Sequence, residues 1–255
     1  MGSNSTERDS SNREFTVRNF FVAFVLAAAG LILSPVSFAE TTQHAGAAKT
    51  HSASTTPDFS GVWFVPEYHR TLLPKEDPPF QPWAEALLRK RDNDNNTADP
   101  DTGPDPIERC IPPGVPRIML QPFPWEIVHA KDRVIMIFEY QALTRQIFTD
   151  GRGHPKDLDS TYMGHSIGKY EADTLVVDTV GFNDKTWLDP KGLPHSDALH
   201  VIERIRRVDH DTLQVDYTID DLKAYTKPWT AQRIFKLRPD WEIKEYVCAE
   251  NNEVR

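Results

Sequence analysis

Residues 199–219 read LHVIERIRRVDHDTLQVDYTI, two alternating runs rich in β-branched residues on either side of His210-Asp211. Alternation of apolar and polar residues marks a half-buried strand, and a two-residue polar break between two such runs marks a hairpin. Counting outward from a two-residue turn fixes the register. Leu213, Val215, Tyr217 and Ile219 form the apolar face of the second run. Opposite them fall Val208, Arg206, Arg204 and Ile202, and His200 extends that face. The signature recurs three times: runs 125–130 and 133–140 flank Lys131-Asp132, runs 165–171 and 174–181 flank Ala172-Asp173, and runs 230–238 and 242–249 flank Pro239-Asp240-Trp241. Across the Ala172-Asp173 turn, Leu175, Val177 and Thr179 pair with Tyr170, Gly168 and Ser166. With 143–149 and the run beginning at Phe59, about ten antiparallel strands result. An all-β fold follows, a single antiparallel up-and-down barrel, because closure removes the edges that so many strands would expose. A two-sheet sandwich is the alternative.

The rest of the chain is organised around that barrel. Fourteen of the 20 prolines lie between Pro57 and Pro124. Proline cannot donate to a sheet ladder, so 57–124 reads as an irregular segment wrapping the barrel, with a first strand at 59–64 and a short helix around 83–88. Residues 125–250 form the barrel, and 57–250 together form one domain. Ahead of it, 40–56 is a flexible linker of Ala, Ser, Thr and His. Residues 1–39 read as a signal peptide: Arg18 precedes the apolar run 20–33, and Ser37-Phe38-Ala39 offers small residues before Glu40. That run is shorter than the ~20 residues needed to span a bilayer, which favours cleavage over a retained anchor and places the protein in the periplasm or outside the cell. An oxidising compartment lets Cys110 and Cys248 pair, for which chain entropy allows about 4–5 kcal/mol; two buried thiols are the alternative. With 38 acidic against 29 basic residues and a net charge of −9, a nucleic-acid or anionic-membrane surface is excluded.

The counted register puts His200, Arg204, Arg206, Tyr170, Tyr217, Thr179 and Ser166 inside the barrel among apolar groups. An apolar cavity with a few convergent polar groups is the usual form of a small-molecule site. Inward arginines suit an anionic group on the ligand; at the rim they would instead reach water. His165, Asp178 and Glu203 fall on the opposite face and join such a site only if a bulge inverts the register or the wrapping segment covers that face. The chemistry-bearing residues concentrate in two stretches, Asp150 to Pro155 and Gly164 to His200. Histidine beside a carboxylate transfers protons near neutral pH, the carboxylate fixing its tautomer. His165, His195 and His200 are the candidate acid–base groups, with His154 in the same pool and Asp178 as orienter. Arg204, Tyr217 and Tyr170 would hold a polar ligand group, and Trp187 and Trp229 an apolar wall. No metal or other cofactor is expected: His195 and His200 are five apart with no Glu between them, which is not the zincin spacing. Residues 164–168 match the letters of a nucleophile elbow, but they lie inside a strand, where the required strand-to-helix turn is absent.

The motifs Pro57-Asp58-Phe59-Ser60-Gly61-Val62-Trp63, Cys110-Ile111-Pro112-Pro113-Gly114-Val115-Pro116-Arg117, Met163-Gly164-His165-Ser166-Ile167-Gly168 and the run from Asp173 to Asp184 resemble a large family of exported, functionally uncharacterised bacterial proteins. Pro194-His195-Ser196 and Tyr225-Thr226-Lys227-Pro228-Trp229 continue the likeness, which implies export and no particular activity. Gly61-Val62-Trp63 is also similar to the Gly-x-Trp of lipocalins, implying a lipocalin-like barrel with Trp63 closing one end. Two functions are expected. One is an exported acid–base enzyme of lyase, isomerase or hydratase type, acting on a hydrophobic or aromatic small molecule. The alternative is a lipocalin-like protein that binds such a molecule unchanged.

Overall fold

Nine strands hydrogen-bond in chain order and the last returns to the first, closing a barrel: β1 (Gly61–Phe64), β2 (Trp125–His129), β3 (Arg133–Phe138), β4 (Thr144–Phe148), β5 (His165–Glu171), β6 (Thr174–Val180), β7 (His200–Asp209), β8 (Thr212–Asp220) and β9 (Trp229–Leu237). The computed structural model describes residues 56–66, 72, 77–93 and 105–251. The signal expected at 1–39, and the linker through residue 55, lie outside the described residues. The proline-rich segment supplies β1, a helix α1 (Pro82–Asn93) and two 3-10 turns, Pro106–Arg109 and Arg117–Leu120. Its Phe59, Leu72, Ala84, Val115, Ile118 and Met119 are buried in the same apolar cluster as the strands. Cys110 and Cys248 form a disulfide, Cα atoms 5.6 Å apart, which ties this segment to a short terminal helix α2 (Cys248–Asn251). Among the described residues no helix is long and apolar enough to cross a membrane.

Three sequence expectations need correction. The stretch 242–249 is not a tenth strand. The edge of β9 that it would have used already pairs with β1, Trp63 opposite Leu237. The chain instead lays aromatic rings against the outside, Trp241 on Phe64 at 5.2 Å and Tyr246 on Phe123 at 4.5 Å, before reaching Cys248. Nor is the barrel wholly antiparallel, since β4 and β5 run parallel, Ile147 opposite Ser166. Parallel neighbours cannot be joined by a tight turn, so residues 149–164 cross over the outside of the barrel. The crossover is seated at its far end, where Thr161 N–H donates to the Gly181 carbonyl at 2.9 Å. Gly181 has a φ of +76°, and a Cβ there would lie 2.3 Å from Leu158.

The third correction is the β7–β8 register. Asp209 opposes Thr212 as counted, but Arg207 rather than Val208 opposes Leu213, so one extra residue sits in β7. Val208 bulges outward, 43% exposed, while Arg207 folds back and donates to the His210 carbonyl at 2.6 and 2.9 Å. A one-residue slip exchanges the two faces of a strand. Val201, Glu203, Ile205 and Arg207 therefore face inward, and His200, Ile202, Arg204 and Arg206 face outward, the reverse of the counted assignment. The Ala172-Asp173 hairpin carries no such bulge, and Ser166, Gly168 and Tyr170 oppose Thr179, Val177 and Leu175 as read.

One guanidinium organises the interior. Arg145 on β4 donates to Ser166 on β5 at 3.1 Å, to Thr179 on β6 at 2.9 Å and, through both terminal nitrogens, to Glu203 on β7. All four side chains are buried. At one end, Trp63 donates its indole N–H to the Phe59 carbonyl at 2.9 Å, and the Arg207 guanidinium covers its ring at 5.2 Å. Toward the other end, the buried turn Arg117–Leu120 brings Met119 to the Tyr217 hydroxyl, which donates to its sulfur at 3.6 Å. A buried ion pair stripped of one partner leaves an uncompensated charge, at a cost of about 3–5 kcal/mol. Glu203→Leu is therefore expected to lose stability on that scale in urea unfolding, and the double variant Arg145→Met/Glu203→Leu to recover much of it. A double variant no more stable than the single one would show that the pair is not what holds these strands.

Candidate functional site

The outer face of β5, β6 and β7 carries residues an odd number of positions along each strand from the buried network: His165 beside Ser166, Asp178 beside Thr179, and His200 three positions from Glu203. The crossover lays His154 over them. His154 Nδ1 lies 2.9 Å from His165 Nδ1, and its Nε2 lies 3.2 Å from Asp178 Oδ1. His200 Nε2 reaches the same oxygen at 2.8 Å. Side-chain exposures of 21% for His154, 31% for His200 and 41% for Asp178 leave the cluster open to solvent.

These contacts determine where the protons sit when the rings are neutral. A carboxylate only accepts, so His154 and His200 each present Nε2–H to Asp178. His154 Nδ1 then carries a lone pair, and the proton in the His154–His165 contact belongs to His165 Nδ1. What remains is a bare Nε2 on His165 and a bare Nδ1 on His200, neither with a protein partner among the described residues. The His165 ring lies against Phe148 at 5.5 Å, tilted by 22°. Its pKa is lowered from the usual 6.5, chiefly by burial, then by the charges of His154 and Arg152. The ring is therefore held in its neutral, basic form at neutral pH. Among the described residues no group of three or more His, Cys, Asp or Glu is placed to hold a metal ion.

The other candidates lie elsewhere. His195 is buried in the 181–199 loop with both ring nitrogens occupied: Nδ1–H donates to the Ser196 carbonyl at 2.9 Å, and Nε2 accepts from Thr186 at 2.7 Å. Burial lowers its pKa. Arg204, on the outer face, is spent on Glu171 at 3.0 Å. Tyr217 is fully buried on the inner face of β8. Tyr170 approaches His129 Nδ1 at 3.4 Å, its pKa raised by burial. Trp187 lies under the guanidinium of Arg91 at 4.7 Å, and Trp229 packs edge-on to Tyr225 at 5.5 Å. Of the residues named from sequence, the structure thus brings together His154, His165, His200 and Asp178, and leaves the intended ligand contacts apart. Phe148 and Arg152 were not assigned roles. The signal for Arg152 was its place between Gly151 and Gly153 in the Asp150–His154 loop; Phe148 carried none. No protein-family model and no curated protein matches the chain.

Burial lowers the pKa of His129 as well as those of His165 and His195. As pH falls below about 6.5 the unfolded chain takes up these protons before the folded one, so the stability present above that value is progressively lost beneath it. Urea midpoints are expected to fall between pH 7.5 and 5.5, with a shallower fall in His195→Asn. Equal midpoints at the two pH values would contradict these protonation states.

Proposed function

We propose that the outer-face cluster is an acid–base site acting on a small molecule, and that the protein is an exported enzyme of lyase, isomerase or hydratase type. The observation that carries this reading is the unbroken chain from Asp178 through His154 to His165, ending in a bare nitrogen. His165 Nε2 accepts a proton from the substrate. His165 Nδ1–H then passes its proton to His154 Nδ1, and the positive charge comes to rest on a ring hydrogen-bonded to Asp178. His200, held by the same carboxylate oxygen, offers a second nitrogen from which a proton can be returned after that ring is protonated. Such positioned proton transfer contributes typically 10²–10⁴-fold to a rate. Export is supported by the disulfide, a bond that persists in oxidising compartments. The closed barrel by itself also fits the second reading, a lipocalin-like binder that leaves its ligand unchanged.

The test asks for chemistry without knowing the substrate. Purified protein is incubated in D₂O with a library of hydrophobic and aromatic small molecules, and mass spectrometry follows deuterium at carbon. The wild type is expected to exchange or convert a subset, and His165→Gln to lose this by about 10²-fold or more. Exchange that is absent, or equal in the two proteins, overturns the acid–base reading, and ligand retained without exchange favours the binder.

A further inference from the structure

The crossover loop does more than deliver His154. Arg152, two residues before it, is oriented by Asp150, whose carboxylate accepts from Arg152 Nε at 2.9 Å and from Nη2 at 2.5 Å. Arg152 N–H donates to the same carboxylate at 3.2 Å, so the guanidinium is fixed to its own loop. Its plane lies over Phe148 with Cζ 4.1 Å from the ring centre, and Phe148 in turn stacks on His165. The remaining terminal nitrogen, Nη1, has no protein partner among the described residues. Arg133, the other cation over Phe148 at 4.9 Å, is bound differently. Arg133 spends Nε and Nη2 on Asp132 and Nη1 on Gln146 at 2.7 Å, leaving no nitrogen over. The loop backbone on either side of Arg152 is uncrowded: a Cβ built at Gly151 or Gly153 meets nothing within 4 Å.

We infer that Arg152 is the anion-binding residue of this site, taking a carboxylate or similar planar oxyanion of the substrate through Nη1 and placing it beside His165. The inference rests on the acid–base reading of the histidine cluster and names its substrate class, a small organic acid. Asp150 is the positioning residue: it aims the fork and leaves one arm of it outward. Guanidinium and carboxylate match as planar partners, and the pairing is stronger than between neutral groups. The role that the sequence suggested for Arg204 thus passes to a residue of the crossover. A carboxylate bound here sits where negative charge also favours the protonated form of His165, so binding couples to the base that uses it.

Sodium benzoate serves as the probe and benzyl alcohol as its uncharged counterpart, with calorimetry and histidine NMR on the purified protein. Benzoate is expected to bind the wild type, to displace the His165 resonances and to raise that ring's titration midpoint, while benzyl alcohol does none of these. Arg152→Gln is expected to weaken benzoate about tenfold or more, Arg152→Lys to weaken it less, and His165→Gln to leave it bound. Benzoate that fails to bind, or binds Arg152→Gln as well as the wild type, overturns the anion site. The two readings fail separately. Benzoate held through Arg152 without any deuterium exchange leaves the anion site standing and removes the chemistry; exchange indifferent to Arg152→Gln does the reverse.

Discussion

Arg145 places one guanidinium inside the barrel and ties four consecutive strands, β4 to β7, through Ser166, Thr179 and Glu203. A buried charge is tolerated only when paired and hydrogen-bonded, so the inward orientation of Glu203 is the arrangement that leaves no charge stranded in the core. Side chains alternate along a strand, and the consequence for β7 is direct: with Glu203 inside, His200 must be outside. The same alternation puts His165 and Asp178 on the outer surface behind Ser166 and Thr179. The inner polar network and the outer histidine cluster are two faces of one piece of sheet.

The outer face alone would hold only His165, Asp178 and His200. The parallel pairing of β4 with β5 supplies the rest, because parallel neighbours cannot be joined by a tight turn and residues 149–164 must cross over. That crossover passes over the outside of the sheet and brings Asp150, Arg152 and His154 with it. Topology thus explains why the candidate site lies outside the barrel, in contrast to the interior site that a closed barrel invites one to expect. Within the interior, Trp63, Tyr217, Met136 and the Arg145 network occupy the inward positions with side chains of their own.

Much of the fold was legible because its turns are local. Ala172-Asp173 is a two-residue turn without a bulge, so the pairing of Ser166 with Thr179 could be counted from the letters alone. The bulge at Val208 could not be counted, since what stabilises it is the Arg207 side chain folding onto the His210 carbonyl and over Trp63, a residue far away in sequence. That one inserted residue inverted the expected positions of His200, Arg204, Arg206 and Glu203. The run 242–249 failed as a strand for a similar reason: β1 had already taken the edge of β9, a long-range fact that no local pattern carries. Of the site, the histidines and Asp178 were visible as residue types suited to proton transfer. Their convergence was not, because it depends on the bulge and the crossover together. Trp187 and Trp229 read as ligand walls by composition, and both are used instead to pack the loops that cover the barrel.

The proposed chemistry depends on where the protons lie in the cluster. Histidine ring-nitrogen NMR on ¹⁵N-labelled protein at neutral pH reads this directly. The expected pattern is Nε2–H on His154 and His200 and Nδ1–H on His165, with His165 neutral and its Nε2 bare. A His165 ring that carries its proton on Nε2, or is doubly protonated at that pH, would contradict the relay from Asp178 and remove the base on which the proposed chemistry depends.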